Sequence, residues 1–219
     1  MFTGIIQDIG KIQRLERRDQ GLRLDIATLL DLSAVKLGDS VAVDGACLTV
    51  IQKTPSTFSV EAGKETLEQT TLSTEREGQR VNLETSLRMS DPLGGHFVSG
   101  HVDGTGEIIE VNPEGNSLRY RFRAPQEIGR FLIEKGSVAV DGISLTVAEC
   151  QDQEFRVSVL SYTAQKTTLG MKKAGDRVNL ENDMISKYVA KFVSQQTGSA
   201  REGSRLDWSF LAEHGFVKK

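Results

Sequence analysis

Residues 41–50 read VAVDGACLTV and residues 138–147 read VAVDGISLTV, so eight of ten positions match across an offset of 97. At roughly 6% chance identity per position, coincidence does not account for this. The chain carries one segment twice, and the copies differ where Cys47 stands against Ser144.

Outward from the decapeptide the repeat continues on both flanks. MFTGIIQDIGKI from Met1 aligns with FVSGHVDGTGEI from Phe97 at an offset of 96. TTL at 70–72 recurs at 167–169, and RVNLE at 80–84 recurs at 177–181, both at 97. One inserted or deleted residue reconciles the two offsets. Two homologous halves run from about 1 to 87 and from about 97 to 184, which is a pair of domains rather than a solenoid.

Each half reads as β. Segments 3–15, 22–28, 40–43, 47–52, 57–62 and 80–85 are short, rich in Val, Ile and Thr, and broken by Gly, Asp, Asn or Pro. Asp44-Gly45 and Asp141-Gly142 read as tight hairpin turns, because Asp-Gly tolerates positive φ. Six short strands in so few residues leave exposed edges unless the sheet closes on itself. The fold expected is all-β with a C-terminal helix: two tandem homologous six-stranded barrels, over 1–96 and 97–183, followed by 184–219. In that last part DMISKYVAKFVSQQ, 183–196, spaces Met184, Tyr188 and Phe192 four apart beside Ile185, Val189 and Val193. This is a helical apolar stripe, with Lys187 and Lys191 on another face. It packs either on its own domain or on another subunit. SQQTGSAREGS then reads as a linker, and LDWSFLAEHGFVKK as an amphipathic tail.

Composition narrows the function. The 219 residues carry 27 basic and 30 acidic side chains, with no basic block or aromatic-basic stripe, which excludes a nucleic-acid binder. No apolar run approaches the roughly 20 residues that span a bilayer. The start has no basic segment leading into an apolar one, so the expected location is cytoplasmic. Two cysteines and three scattered histidines give no metal-ligand spacing, and no metal is expected.

Duplicated barrels imply duplicated pockets, suited to an enzyme that joins or disproportionates two copies of one small molecule. The differences between the halves then carry the chemistry. His101, Ser144 and Asp183 occupy the positions where the first half has Ile5, Cys47 and Ser86. Such a set points to nucleophilic catalysis. Against it, a serine after a hairpin turn is commonly structural, and Asp183 suits the N-cap of the following helix. His101 lies in GGHFVSGHVDG, whose four glycines let backbone approach a ligand closely.

MFTGII, GACLTV, GGHFVSGHVDGTG, DGISLTV and TTLG resemble, in order and spacing, the signature segments of the riboflavin synthase family of the α-chain type. The resemblance covers residues 1 to 195, and the tail LAEHGF resembles endings seen in bacterial members. It implies two Greek-key barrels, a C-terminal helix and a homotrimer assembled through that helix, associated with lumazine synthase. It implies the last step of riboflavin biosynthesis, a transferase reaction using neither cofactor nor metal. In it two molecules of 6,7-dimethyl-8-ribityllumazine yield riboflavin and 5-amino-6-(ribitylamino)uracil by transfer of a four-carbon unit. The site would lie between the N-barrel of one subunit and the C-barrel of its neighbour.

Carried over by position, the resemblance gives the N-barrel pocket Gly4, Ile5, Ile6, Cys47, Leu48, Thr49 and the stretch Glu61, Ala62, Gly63, Lys64, Glu65, Thr66. The C-barrel pocket receives Gly100, His101, Val102, Lys135, Ser144, Leu145, Thr146 and the stretch Leu160, Ser161, Tyr162, Thr163, Ala164, Gln165. Phe2, Ser40, His101, Ser144 and Asp183 match positions associated with turnover, and Cys47 a position close to the pteridine. Ser161-Tyr162 departs from the family, where many members have Pro followed by Glu or His. Two rival functions are a non-catalytic lumazine or flavin antenna of the same fold and a two-barrel flavin reductase. The antenna would lack the polar set of the second half. The reductase would need a strand–GxGxxG–helix nicotinamide site, which the chain does not show.

Overall fold

The computed structural model describes residues 1–19, 21–199 and 214. In the first half the alternating segments form β1 (Asp8–Arg18), β2 (Gly21–Ala27), β3 (Ser40–Val43), β4 (Ala46–Lys53), β5 (Thr57–Gly63) and β6 (Arg80–Thr85). They close in the order β1-β2-β5-β4-β3-β6, every neighbour antiparallel. The second half repeats this with β7 (Gly104–Glu114), β8 (Ser117–Arg123), β9 (Ser137–Val140), β10 (Ile143–Gln151), β11 (Glu154–Leu160) and β12 (Arg177–Asn182) in the same cyclic order. Closure pairs the backbone groups that an open sheet would expose. Register shifts fall at matched places, after Ile12 and Val50 in one barrel and after Ile108 and Val147 in the other. Such bulges sharpen the bend that so small a barrel needs.

Period-two alternation puts Leu22, Leu24 and Ile26 of β2 inside the first barrel with Phe58 and Val60. The matched strand of the second barrel brings Tyr120 and Phe122 inward, where Phe122 stacks on Phe155 with centroids 5.0 Å apart. Short helices α1 (Lys64–Gln69) and α3 (Ser161–Lys166) turn matched corners, and α2 (Gln126–Gly129) lies between β8 and β9.

The barrels meet along a pseudo-twofold seam made by the repeated decapeptide. Asp44 and Asp141 take φ of 43° and 46°, followed by Gly45 at 81° and Gly142 at 77°, as two-residue hairpins require. The two turns touch. A Cβ on Gly45 would fall 2.7 Å from the Gly142 nitrogen, and one on Gly142 would fall 2.8 Å from the Gly45 nitrogen. Asn82 Nδ2 donates to the Asp141 carbonyl at 3.0 Å, and Asn179 Nδ2 to the Asp44 carbonyl at 2.8 Å. Phe2 and Val98 exchange backbone hydrogen bonds at 2.7 and 3.1 Å and pack with Ala42 and Ala139. The repeated VAVDG is therefore accounted for by the seam, whatever the following residues bind.

Two expectations shift at element ends. The first strand begins at Asp8 rather than at residue 3, because residues 1–6 run across to the second barrel, where Gly4 meets Ser144 and Ile6 packs on its core. The terminal helix α4 runs Met184–Ser199, past Ser194 where a linker was expected. The rest of that linker and the apolar tail lie outside the described residues, His214 excepted. From Ile185 onward the chain forms a unit separate from the barrels, and Ile185, Tyr188, Val189, Phe192 and Val193 are more than half exposed.

Candidate active site

Two short segments, 1–6 and 97–102, cross the seam in opposite directions. The Gly4 carbonyl accepts from Ser144 N at 2.8 Å, and Ile6 packs against the core of the second barrel. Reciprocally, the Gly100 carbonyl accepts from Cys47 N at 2.9 Å, and Val102 packs against the first. Both glycines have left-handed backbone, φ 77° and 81°. A Cβ on Gly4 would lie 2.6 Å from Ser144 Cβ, and one on Gly100 would lie 2.5 Å from Cys47 Cβ. No other residue permits this approach.

The pocket grouping expected from repeat position is therefore exchanged. Gly100, His101 and Val102 wall the first barrel's pocket, and Gly4 and Ile6 lie against the second barrel. A cavity of about 380 Å³ is lined by Cys47, Glu65, Thr66, Gln69, Gly100, His101 and Val102, with Ala46 and Thr70. A larger cleft of about 450 Å³ sits beside Cys150, but its charged walls are paired with one another, Arg123 with Glu154 at 3.0 Å and Arg156 with Glu149.

The remaining candidates divide by where their side chains lie. Leu48 and Ala62 belong to the first core, and Leu145 and Ala164 to the second. Thr49 and Thr146 sit on the opposite face of the same strands and are exposed. Glu61 pairs with Arg18 at 2.7 Å. Gly63 precedes α1, whose first turn carries Lys64 and Glu65. Ser40 opens β3 across from Thr49. Lys135 takes φ 64° and donates its N–H to Val147 at 2.8 Å. Phe2 is fully buried, with its ring edge under Gly100, so it supports the pocket wall from behind. In the divergent stretch Ser161 N and Oγ both donate to the Asn116 carbonyl, at 3.0 and 2.7 Å. Hydrogen bonds thus fix the start of α3, where a proline ring would fix it by its own geometry. Leu160 and Tyr162 are exposed, while Thr163 accepts from Thr167 Oγ1 at 2.8 Å, and Gln165 lies on the outer side of the same helix.

His101 does not join Ser144. The histidine at Ser144 is His96, whose Nδ1 lies 2.7 Å from Ser144 Oγ. Gly95 makes this possible, since a Cβ there would stand 2.1 Å from the Thr3 carbonyl oxygen and 2.9 Å from Ser144 Oγ. His96 is buried, and its Nε2 has no hydrogen-bond partner among the described residues. Burial pushes its pKa below the usual histidine range, and the negative charge of Asp183 partly offsets this. Ser144 and His96 therefore meet, within reach of the Asp183 charge, with a neutral imidazole able to take up a proton. His96 precedes the repeat that begins at Phe97, so the differences between the halves do not single it out. Its neighbours Gly94 and Gly95, in the glycine-rich stretch already noted, were the available signal.

The lumazine binding domain matches this chain twice, over residues 3–86 and 99–183. The riboflavin synthase of Actinobacillus pleuropneumoniae is 42% identical over 99% of this chain and 100% of its own. That of Brucella abortus is 44% identical over 90% of this chain and 100% of its own. The chain belongs to the riboflavin synthase family. The fold of this riboflavin synthase family member also matches solved structures of LumP. LumP complexed with 6,7-dimethyl-8-(1'-D-ribityl) lumazine gives a TM-score of 0.75, and LumP with riboflavin gives 0.77. Each is 24% identical and covers 83% of this chain and 99% of its own.

Proposed function

We propose that this chain is a riboflavin synthase that converts two molecules of 6,7-dimethyl-8-ribityllumazine into riboflavin and 5-amino-6-(ribitylamino)uracil. The observation that carries the reading is a pair of matched strand edges, one at Cys47 and one at Ser144, each met by a glycine segment from the other half. Two equivalent edges suit two identical reactants. The unequal residues on them suit a reaction in which those reactants do different things.

One lumazine must lose a proton from its 7-methyl group, and the other must be attacked at a ring carbon bearing a methyl. Both steps need proton transfer by a positioned group. Ser144 and His96 are assigned to this task, with Asp183 biasing the imidazole and His101 serving the Cys47 pocket. Holding two rings in one relative pose supplies much of the remaining acceleration. The exposed apolar stripe of α4 is assigned to a homotrimer that brings a first barrel against a neighbour's second barrel. Incubating the purified protein with the lumazine alone, with and without a chelator, is expected to give riboflavin at equal rates. Absence of riboflavin would remove the reading, and rescue by a divalent ion would remove its cofactor-free chemistry.

A further inference from the structure

Two buried carboxylates at matched positions have no part in the chemistry just described. Glu84 lies in β6 and Glu181 in β12, each 3% exposed. Glu84 Oε1 accepts from Thr3 N at 2.6 Å and Thr3 Oγ1 at 2.7 Å, and its Oε2 accepts from Gly4 N at 3.0 Å. Glu181 repeats the grip, with Oε1 accepting from Ser99 N at 2.7 Å and Ser99 Oγ at 2.6 Å, and Oε2 from Gly100 N at 3.0 Å. Burying a carboxylate is costly unless donors surround it. Here each cost is met by three donors from one dipeptide, which lies just before or within the residues that wall a pocket.

The crossing decides which pocket each carboxylate serves. Glu84 stands in the first barrel, yet the dipeptide it grips meets Ser144 in the second. Thr3, held by Glu84, also accepts from His96 N at 3.1 Å. Glu181 stands in the second barrel and holds Gly100, which meets Cys47 in the first.

We propose that Glu84 and Glu181 are positioning residues acting across the seam, each fixing the loop that walls the pocket of the other barrel. This rests on reading those pockets as lumazine sites. A glutamine in either place keeps the volume but turns an N–H donor toward the Thr3–Gly4 or Ser99–Gly100 amides, so at least one amide loses its acceptor.

The test uses the full chain with Cys150→Ser, which leaves Cys47 as the single thiol. Modification of Cys47 by a disulfide reagent is followed at increasing concentrations of 6,7-dimethyl-8-ribityllumazine. Glu181→Gln is expected to raise the half-protecting concentration about tenfold, with Glu84→Gln within about twofold of the parent, as loss of one charged hydrogen bond at one site implies. Glu84→Gln is expected instead to slow single-turnover riboflavin formation about tenfold while protection of Cys47 persists. Ser99→Ala and Thr3→Val, which keep each carboxylate and remove one donor, should show the same crosswise pattern at about threefold if a glutamine variant does not fold. Equal effects of both substitutions on protection, or a larger one from Glu84→Gln, would overturn the crossed assignment. No protection of Cys47 by lumazine in the parent would overturn the lumazine reading itself, and this proposal with it.

Discussion

His96 and His101 stand on one glycine-rich segment yet serve different barrels, because the chain crosses the seam between them. Their substitutions are accordingly expected to fail in different ways. His96→Gln removes the partner of Ser144 and should lower the single-turnover rate by about 10²–10⁴, the usual worth of a general acid or base, with ligand affinity nearly kept. His101→Gln alters a wall of the Cys47 pocket and should weaken binding about tenfold with a smaller effect on rate. Rapid-quench rates beside fluorescence titrations separate the two, and a larger rate loss in His101→Gln would reverse the assignment. Because burial holds the His96 pKa down, its neutral form persists to lower pH than for an ordinary histidine. The acid limb of the rate profile should lie below 6.5, the value of an ordinary histidine, and vanish in His96→Gln. Residue comparison between the halves pointed to Ser144 and Asp183. It groups them with His101, whereas the histidine hydrogen-bonded to Ser144 is His96, since spacing along a chain says nothing about which barrel a crossing segment reaches.

At the scale of elements, strands were legible wherever period-two alternation met a turn signal. Asp44-Gly45 shows both, and β3 begins and ends where expected. Residues 3–7 carry Thr and two Ile as a strand would, but Gly4 turns left-handed there, and the Glu84 carboxylate takes the amides a partner strand would have bonded. A buried carboxylate capturing backbone has no periodic signature. The start of α4 was legible from its stripe, while its end was obscured by Thr197 and Gly198, which pattern alone reads as a break. Tyr188 and Phe192 are 57% and 62% exposed. If the stripe holds a trimer, Tyr188→Glu with Phe192→Glu forfeits about 1.5–3 kcal/mol per side chain and sets carboxylates in an apolar contact. Sedimentation velocity should then show monomers, with turnover lost alongside. An unchanged profile would reassign the helix.

Taken whole, the molecule is two copies of one barrel whose seam is not quite symmetric. Glu75 and Lys172 occupy matched positions, one acidic and one basic, beside the buried turn aspartates. Lys172 Nζ pairs with Asp141 at 2.7 Å. Burial raises the pKa of Glu75 to about 7, with the Lys172 charge opposing the shift and the Asp141 charge adding to it. Burial and the charge of Asp141 also raise Asp44. An unfolded chain releases the Glu75 proton near 4.5, whereas the native chain keeps it to about 7. Stability therefore falls as pH rises through that window and levels off above it. Glu75→Gln should leave the melting temperature unchanged at the acid end and raise stability at pH 8, by up to about 3 kcal/mol. Paired thermal melts at the two pH values check this, and an equal effect at both would remove Glu75 from the pH dependence.

The segment joining the barrels has a consequence for the chemistry of identical reactants. A pair of separate one-barrel chains about a true twofold would offer two interchangeable seats, so two identical molecules arriving there could not be told apart. Here the joint passes over one seat only, and its Gly94–Gly95 stretch lays the His96 imidazole against Ser144, whereas among the described residues no histidine is hydrogen-bonded to Cys47. Covalent connection alone thus lifts the degeneracy. The fused chain can assign unlike fates to like molecules before either has reacted.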